Sequence, residues 1–216
     1  ELLEELILNT NNRTGIRNDI LEKDYYVCLI LKDLSTKQDK LQTYFKGGTA
    51  IYKILGHMNR FSEDIDLTVK VNDGESNNSN RTRLKNSALG YKIQGLELAK
   101  DETIDKKGSI TSFYKYNSLF SMNELFKSEK IQIEATSFTV SEPISTYTIE
   151  PLIYKYALDN EKKILKEEYN ISEFNIETIK LERIFIDKVF ATEFYYERNM
   201  YEDVSKHLYD ISIMIK

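Results

Sequence analysis

Apolar residues recur at helical spacing early in the chain, in "LLEELILNT" (2–10) and in "NDILEKDYYVCLILKDLS" (18–35), where Asn18 or Asp19 can cap the second helix. The pattern then shortens. "LQTYF" (41–45) is aromatic-rich and ends just before two glycines, which predicts a strand, and "TAIYKILG" (49–56) predicts a short helix stopped at Gly56. "IDLTVKV" (65–71) alternates and is β-branched, a second predicted strand. The polar "NDGESNNSN" (72–80) predicts a disordered loop, residues 81–99 a helix, and "SITSFYKYNS" and "KIQIEATSFTV" two further strands. From Pro151 helical spacing dominates, through "PLIYKYALDNEKKILKEE", "NIETIKLERIFIDKVFATEFYYER" and "YEDVSKHLYDISIMIK". The expectation is an α+β fold: a mixed sheet flanked by helices over residues 1–150, and a helical portion over 151–216 that closes a cleft. The last helix reaches the end of the chain uncapped, as expected of a longer parent protein.

Composition narrows the classes. With 216 residues the chain can bury one good-sized core and carry a helical appendage. It has no run of 18 apolar residues to span a membrane, and its acidic start differs from a signal peptide. The single cysteine, Cys28, excludes an internal disulfide and fits a reducing, cytoplasmic setting. Its apolar neighbours mark it as buried filler. A net charge of −5 argues against wrapping nucleic acid with a globally basic surface, and leaves a local basic face open. His57 and His207 stand without metal-ligand spacing, so zinc is not expected.

The chemistry concentrates in "FKGGTAIYKILGHMNRFSEDID" (45–66). Asp64 and Asp66 straddle the start of a predicted strand, where residues i and i+2 share a face, roughly 6–7 Å of backbone apart. Two carboxylates that close repel unless a cation sits between them, and hard oxygen donors favour magnesium or manganese. Gly47 and Gly48 fall between a strand and a helix, where bare backbone N–H groups can receive phosphate. The Thr49 hydroxyl can cap the helix or reach a phosphate oxygen. Glu134, in "KIQIEATSF", shares the polar face of its strand with Gln132, opposite Ile131 and Ile133, and is the candidate third acid. Each feature has a plainer alternative: a solvated strand end, a tight turn, a surface glutamate. The order strand, Gly-Gly-Thr, helix, D-x-D strand is what makes the set specific.

These residues resemble the nucleotidyltransferase superfamily with a polymerase-β-like core. More narrowly, "FKGGTAIYKILGHMNRFSEDIDL", from Phe45 to Leu67, is similar to the signature of the AbiEii/AbiGii toxin family of abortive-infection and type IV toxin–antitoxin systems, the MenT group included. "LEKDYYVCLIL" (21–31) resembles an upstream helix of that family. A helical lysine followed by "RDxYDL" is matched by Lys188 in "FIDKVFA" and Asp210 in "KHLYDI", with Lys206-His207 replacing Arg-Asp.

The resemblance implies an enzyme that moves NMP from an NTP to an acceptor hydroxyl, the tRNA 3′ end, so blocking translation as a phage-defence toxin. It implies two Mg²⁺ ions on Asp64, Asp66 and Glu134, with Mn²⁺ as a possible substitute. Phosphates would lie on Lys46, Gly47, Gly48, Thr49 and Ser62, Lys188 would offset charge on the leaving pyrophosphate, and Asp210 would pair with Lys188 and hold it in place; the plainer alternatives are a solvent-facing Lys46, a snorkelling Lys188, and Asp210 as a cap or surface ion pair. Arg60 would pair with the nearby acids or contact substrate, and a cognate antitoxin would be encoded nearby. Two alternatives stay open: transfer to a protein or small molecule, and a non-catalytic nucleotide-binding module.

Overall fold

The computed structural model describes residues 2–56, 62–120 and 129–215. Helices α1 (Leu2–Thr14), α2 (Asn18–Ser35) and the single turn α3 (Gln38–Leu41) lead into β1 (Thr43–Lys46), α4 (Gly47–Leu55) and β2 (Ile65–Val69). Then come α5 (Asn77–Leu89), β3 (Glu97–Leu98), β4 (Ile104–Lys106), β5 (Ser109–Lys115), β6 (Lys130–Thr136) and β7 (Ile144–Ile149). The last third holds α6 (Leu152–Lys155), α7 (Asp159–Glu168), β8 (Phe174–Ile179), α8 (Leu181–Tyr196) and α9 (Tyr201–Met214). The α+β class stands, and no helix among the described residues is long and apolar enough to cross a membrane.

The strands form one mixed sheet in the order β3-β5-β6-β2-β1-β8-β7, with β4 paired to β5. The pairs β2–β6 and β1–β8 are parallel, while β1–β2, β5–β6 and β7–β8 are antiparallel. On one face Ile65, Leu67, Ile110, Ile133 and Ala135 are wholly buried, and α5 packs there, with Ser112 Oγ donating to the Ala88 carbonyl at 2.6 Å. Alternation therefore aims Asp66 and Glu134 at the opposite face. Burying the apolar face stabilises the sheet, at about 25 cal/mol per Å² of apolar surface removed from water.

Two local expectations change. Residues 77–80 belong to α5 rather than to a polar loop, because Ser76 caps the helix by accepting from the Ser79 N–H at 3.2 Å. That helix ends at Leu89, well short of residue 99. The stretch "NIETIKLERIF", read as one helix, divides: Phe174–Ile179 is strand β8 and the helix begins at Leu181. Ile176 and Ile179 satisfy a three-residue spacing, so periodicity alone cannot separate the two states. The space beside β1 and β7 decides.

Helix α2 is the central brace. Its Val27, Cys28, Ile30, Leu31 and Leu34 are buried, as are three consecutive charged residues, Glu22, Lys23 and Asp24, at 1, 2 and 0% exposure. Buried charges persist only where they are paired, and each of these reaches a different segment. Glu22 accepts from Ser118 Oγ and from the Leu119 N–H at 2.8 Å. Lys23 pairs with Glu63. Asp24 pairs with Lys53 of α4 and accepts the Leu152 N–H at the start of α6 at 2.8 Å.

Candidate active site

Strand register builds the site. Lys46 lies opposite Asp66, Asp66 opposite Glu134, and Glu134 opposite Thr111, so one row crosses β1, β2, β6 and β5. Directly opposed residues present their side chains on the same face. Asp66 and Glu134, distant in sequence, thus become neighbours. Asp64 lies just before β2 on the exposed rim, with the parity of Asp66.

The electrostatics show the strain of this grouping. Burial pushes the Asp66 carboxyl up to about 6, and the charges of Glu134 and Asp64 add to the rise; Lys46 first, and Lys188, oppose it. Asp64 is raised as well, by desolvation, then by Glu63 and Glu134, against Lys23 and Lys206. Among the described residues no three carboxylate, imidazole or thiolate groups already converge on a metal position. Two clustered acids whose ionisation is disfavoured nonetheless fit a divalent cation in donor type and in sign of charge.

Gly47 explains why the turn needs glycine. Its φ is +81°, and a Cβ there would lie 2.8 Å from Asp66 Cγ and 2.9 Å from Asp66 Cβ. The first turn of α4 can approach the carboxylate because the position has no side chain. Thr49, by contrast, is turned inward at 1% exposure. Its hydroxyl donates to the Asp64 carbonyl at 2.5 Å and lies 2.9 Å from Ser62 Oγ, so it tethers the segment before β2 to α4. No side chain caps α4. Gly48 is buried in the same turn, and Lys46 Nζ lies 3.4 Å from Thr139 Oγ1.

Lys188 of α8 and Asp210 of α9 form an ion pair at 2.9 Å, with side-chain exposures of 14 and 0%. Lys188 is close enough to Asp66 to be felt by its carboxyl, so the structure brings α8 to the same acids. Arg60 and His57 lie outside the described residues. Lys23, Glu63, Asp24 and Lys53 are not among the residues the sequence marks as candidates for the site, and Lys206 stands there only as a departure from the family pattern. The available signal was "EKD", three charges in succession within an otherwise apolar helix. A cavity of about 680 Å³ beside Tyr25, Tyr26, Lys32, Lys92 and Tyr169 contains none of the site residues.

The chain matches the family model described as nucleotidyl transferase AbiEii toxin, type IV TA system, over residues 29–216, which include every predicted site residue. No curated protein matches it. With most of its length in that match, and with the Gly-Gly turn held against the D-x-D strand, the chain belongs to the AbiEii nucleotidyltransferase toxin family of type IV toxin–antitoxin systems.

Proposed function

We propose that this protein transfers NMP from an NTP to the 3′-terminal hydroxyl of a tRNA, in a Mg²⁺-dependent reaction that blocks translation, and that a cognate antitoxin opposes it. The observation that carries the reading is the row Lys46–Asp66–Glu134, with the side-chain-free Gly47 against Asp66. A phosphate chain entering over Gly47 and Gly48 meets the N-terminus of α4, whose first N–H groups lack helical partners. Lys46 and Ser62 flank that entry, and Thr49 holds it in place through the Asp64 carbonyl. Lys188, fixed by the buried Asp210, offsets negative charge as pyrophosphate departs. Asp64, Asp66 and Glu134 would hold the Mg²⁺ ions, or Mn²⁺ in their place, which supply charge neutralisation at the α-phosphate and the leaving group. Lys46, Lys188 and Lys206 set positive charge among the site carboxylates, with Lys188 also paired to Asp210 and Lys206 to Glu202 and Asp203, so the tRNA acceptor rests on the family reading and not on a basic surface.

Incubation with total tRNA, Mg²⁺ and each α-³²P-labelled NTP in turn tests the proposal. Labelled tRNA with a preferred NTP, abolished in Asp64→Ala and Asp66→Ala, supports it. Mg²⁺-dependent NTP binding with no labelled RNA would reject the tRNA acceptor and direct the search to protein or small-molecule hydroxyls.

A further inference from the structure

Lys23 occupies an unusual place for a lysine: the middle of α2, 2% exposed, outside the segment covered by the family match. Its ammonium pairs with Glu63, whose own side chain is 32% exposed. Glu63 immediately precedes Asp64 in a segment, 62–64, that has no helix or strand of its own. Thr49 holds that segment from α4, through Ser62 and the Asp64 carbonyl, and Lys23 holds it from α2. The neighbouring pair Asp24–Lys53 joins two helices that each contribute to the core. The Lys23 pair instead joins the core to the irregular stretch that delivers a site carboxylate.

We propose that Lys23 is a positioning residue for Asp64, acting through its ion pair with Glu63 to fix the segment 62–64 against α2. The inference rests on the proposed nucleotidyl transfer for its kinetic consequence, but its structural consequence does not. A carboxylate delivered by a loop must be held to within a fraction of an ångström, and misplacement of about 1 Å can cost about a hundredfold in rate. The partner is half-open, and glutamine at 63 still offers the ammonium a side-chain oxygen, so Glu63→Gln removes the charge attraction while leaving Lys23 a hydrogen-bond acceptor.

The experiment compares wild type, Lys23→Met, Glu63→Gln and the double variant by hydrogen exchange and by steady-state transfer kinetics. In Lys23→Met, exchange rises in the peptide covering residues 62–66 while the β5–β6 peptides keep wild-type protection. kcat falls at least tenfold with the NTP KM within about threefold, because the phosphate-receiving turn is untouched. Glu63→Gln shifts both readouts in the same direction, and the double variant is no worse than Lys23→Met alone, the non-additivity expected of one shared interaction. Wild-type exchange at 62–66 in Lys23→Met, additive effects in the double variant, or a change in KM alone would overturn the proposal. Should Lys23→Met not fold, Glu63→Gln decides by the same two readouts. Should wild type transfer no nucleotide to any acceptor, the functional reading fails, and exchange at 62–66 alone judges the brace.

Discussion

Replacing Asp66 with asparagine should stabilise the metal-free protein while destroying its activity. Asp66 is pushed from its ordinary value of 3.8 up to about 6 by burial and by its acidic neighbours. A raised carboxyl pKa means that the folded state holds its proton more tightly than the unfolded chain does. Stability from this group is therefore full below about pH 4, is lost as pH rises through about 6, and stays lost above. The shift is about two units, and at about 1.4 kcal/mol per unit the ionised side chain costs about 3 kcal/mol at pH 8 and about half that at pH 5. Asparagine has nearly the same shape and no charge. In EDTA, urea unfolding of Asp66→Asn should show a gain of up to about 3 kcal/mol over wild type at pH 8, shrinking towards pH 4. Added Mg²⁺ should raise the wild-type midpoint at pH 8 and leave the variant unmoved, since bound cation stabilises only the folded state that offers the ligand. A variant less stable than wild type at pH 8 in EDTA, or a gain that does not change with pH, would refute the electrostatic account of the site.

Three other perturbations separate roles. Gly47→Ala should nearly abolish transfer, because the new methyl displaces the Asp66 carboxylate, whereas Gly56→Ala, at φ +71° and, among the described residues, with only Lys155 Nζ near at 3.7 Å, should cost about 1–2 kcal/mol of stability and keep activity; matched unfolding and kinetic measurements check both. Lys53→Met should lower stability by about 3–5 kcal/mol in urea unfolding, because it leaves the wholly buried Asp24 without its ion-pair partner. Lys188→Met should reduce kcat far more than it reduces NTP affinity by calorimetry; equal losses in both would place Lys188 in ground-state binding instead.

The local grammar of the site is legible in the order of its residues. Gly-Gly where an aromatic strand gives way to a short helix, whose first two residues the glycines are, Gly56 as the stop of that helix, and D-x-D opening a β-branched strand are decided by backbone freedom and by period-two patterning, which neighbours barely alter. The same signature was enough to place the chain in its family. The paired carboxylates needed more. Glu134 could be recognised as a polar residue on an apolar strand, but only the parallel pairing of β2 with β6 sets it opposite Asp66, and strand register is a property of the whole sheet. Likewise the Lys188–Asp210 pair follows from how α8 and α9 pack.

Tertiary structure also overruled local signals. Residues 175–179, part of the stretch read from helical spacing as helix, belong to strand β8, because the open flank of β1 receives them. Thr49 stands in the sequence where a phosphate ligand would, and packing turned it inward to hold the Asp64 peptide. Glu22, Lys23 and Asp24 are three successive charges in an apolar helix, yet each is buried, because three separate segments converge on α2 with complementary groups. Charge burial depends on partners that arrive from elsewhere in the chain, so it is decided only once the fold brings them together.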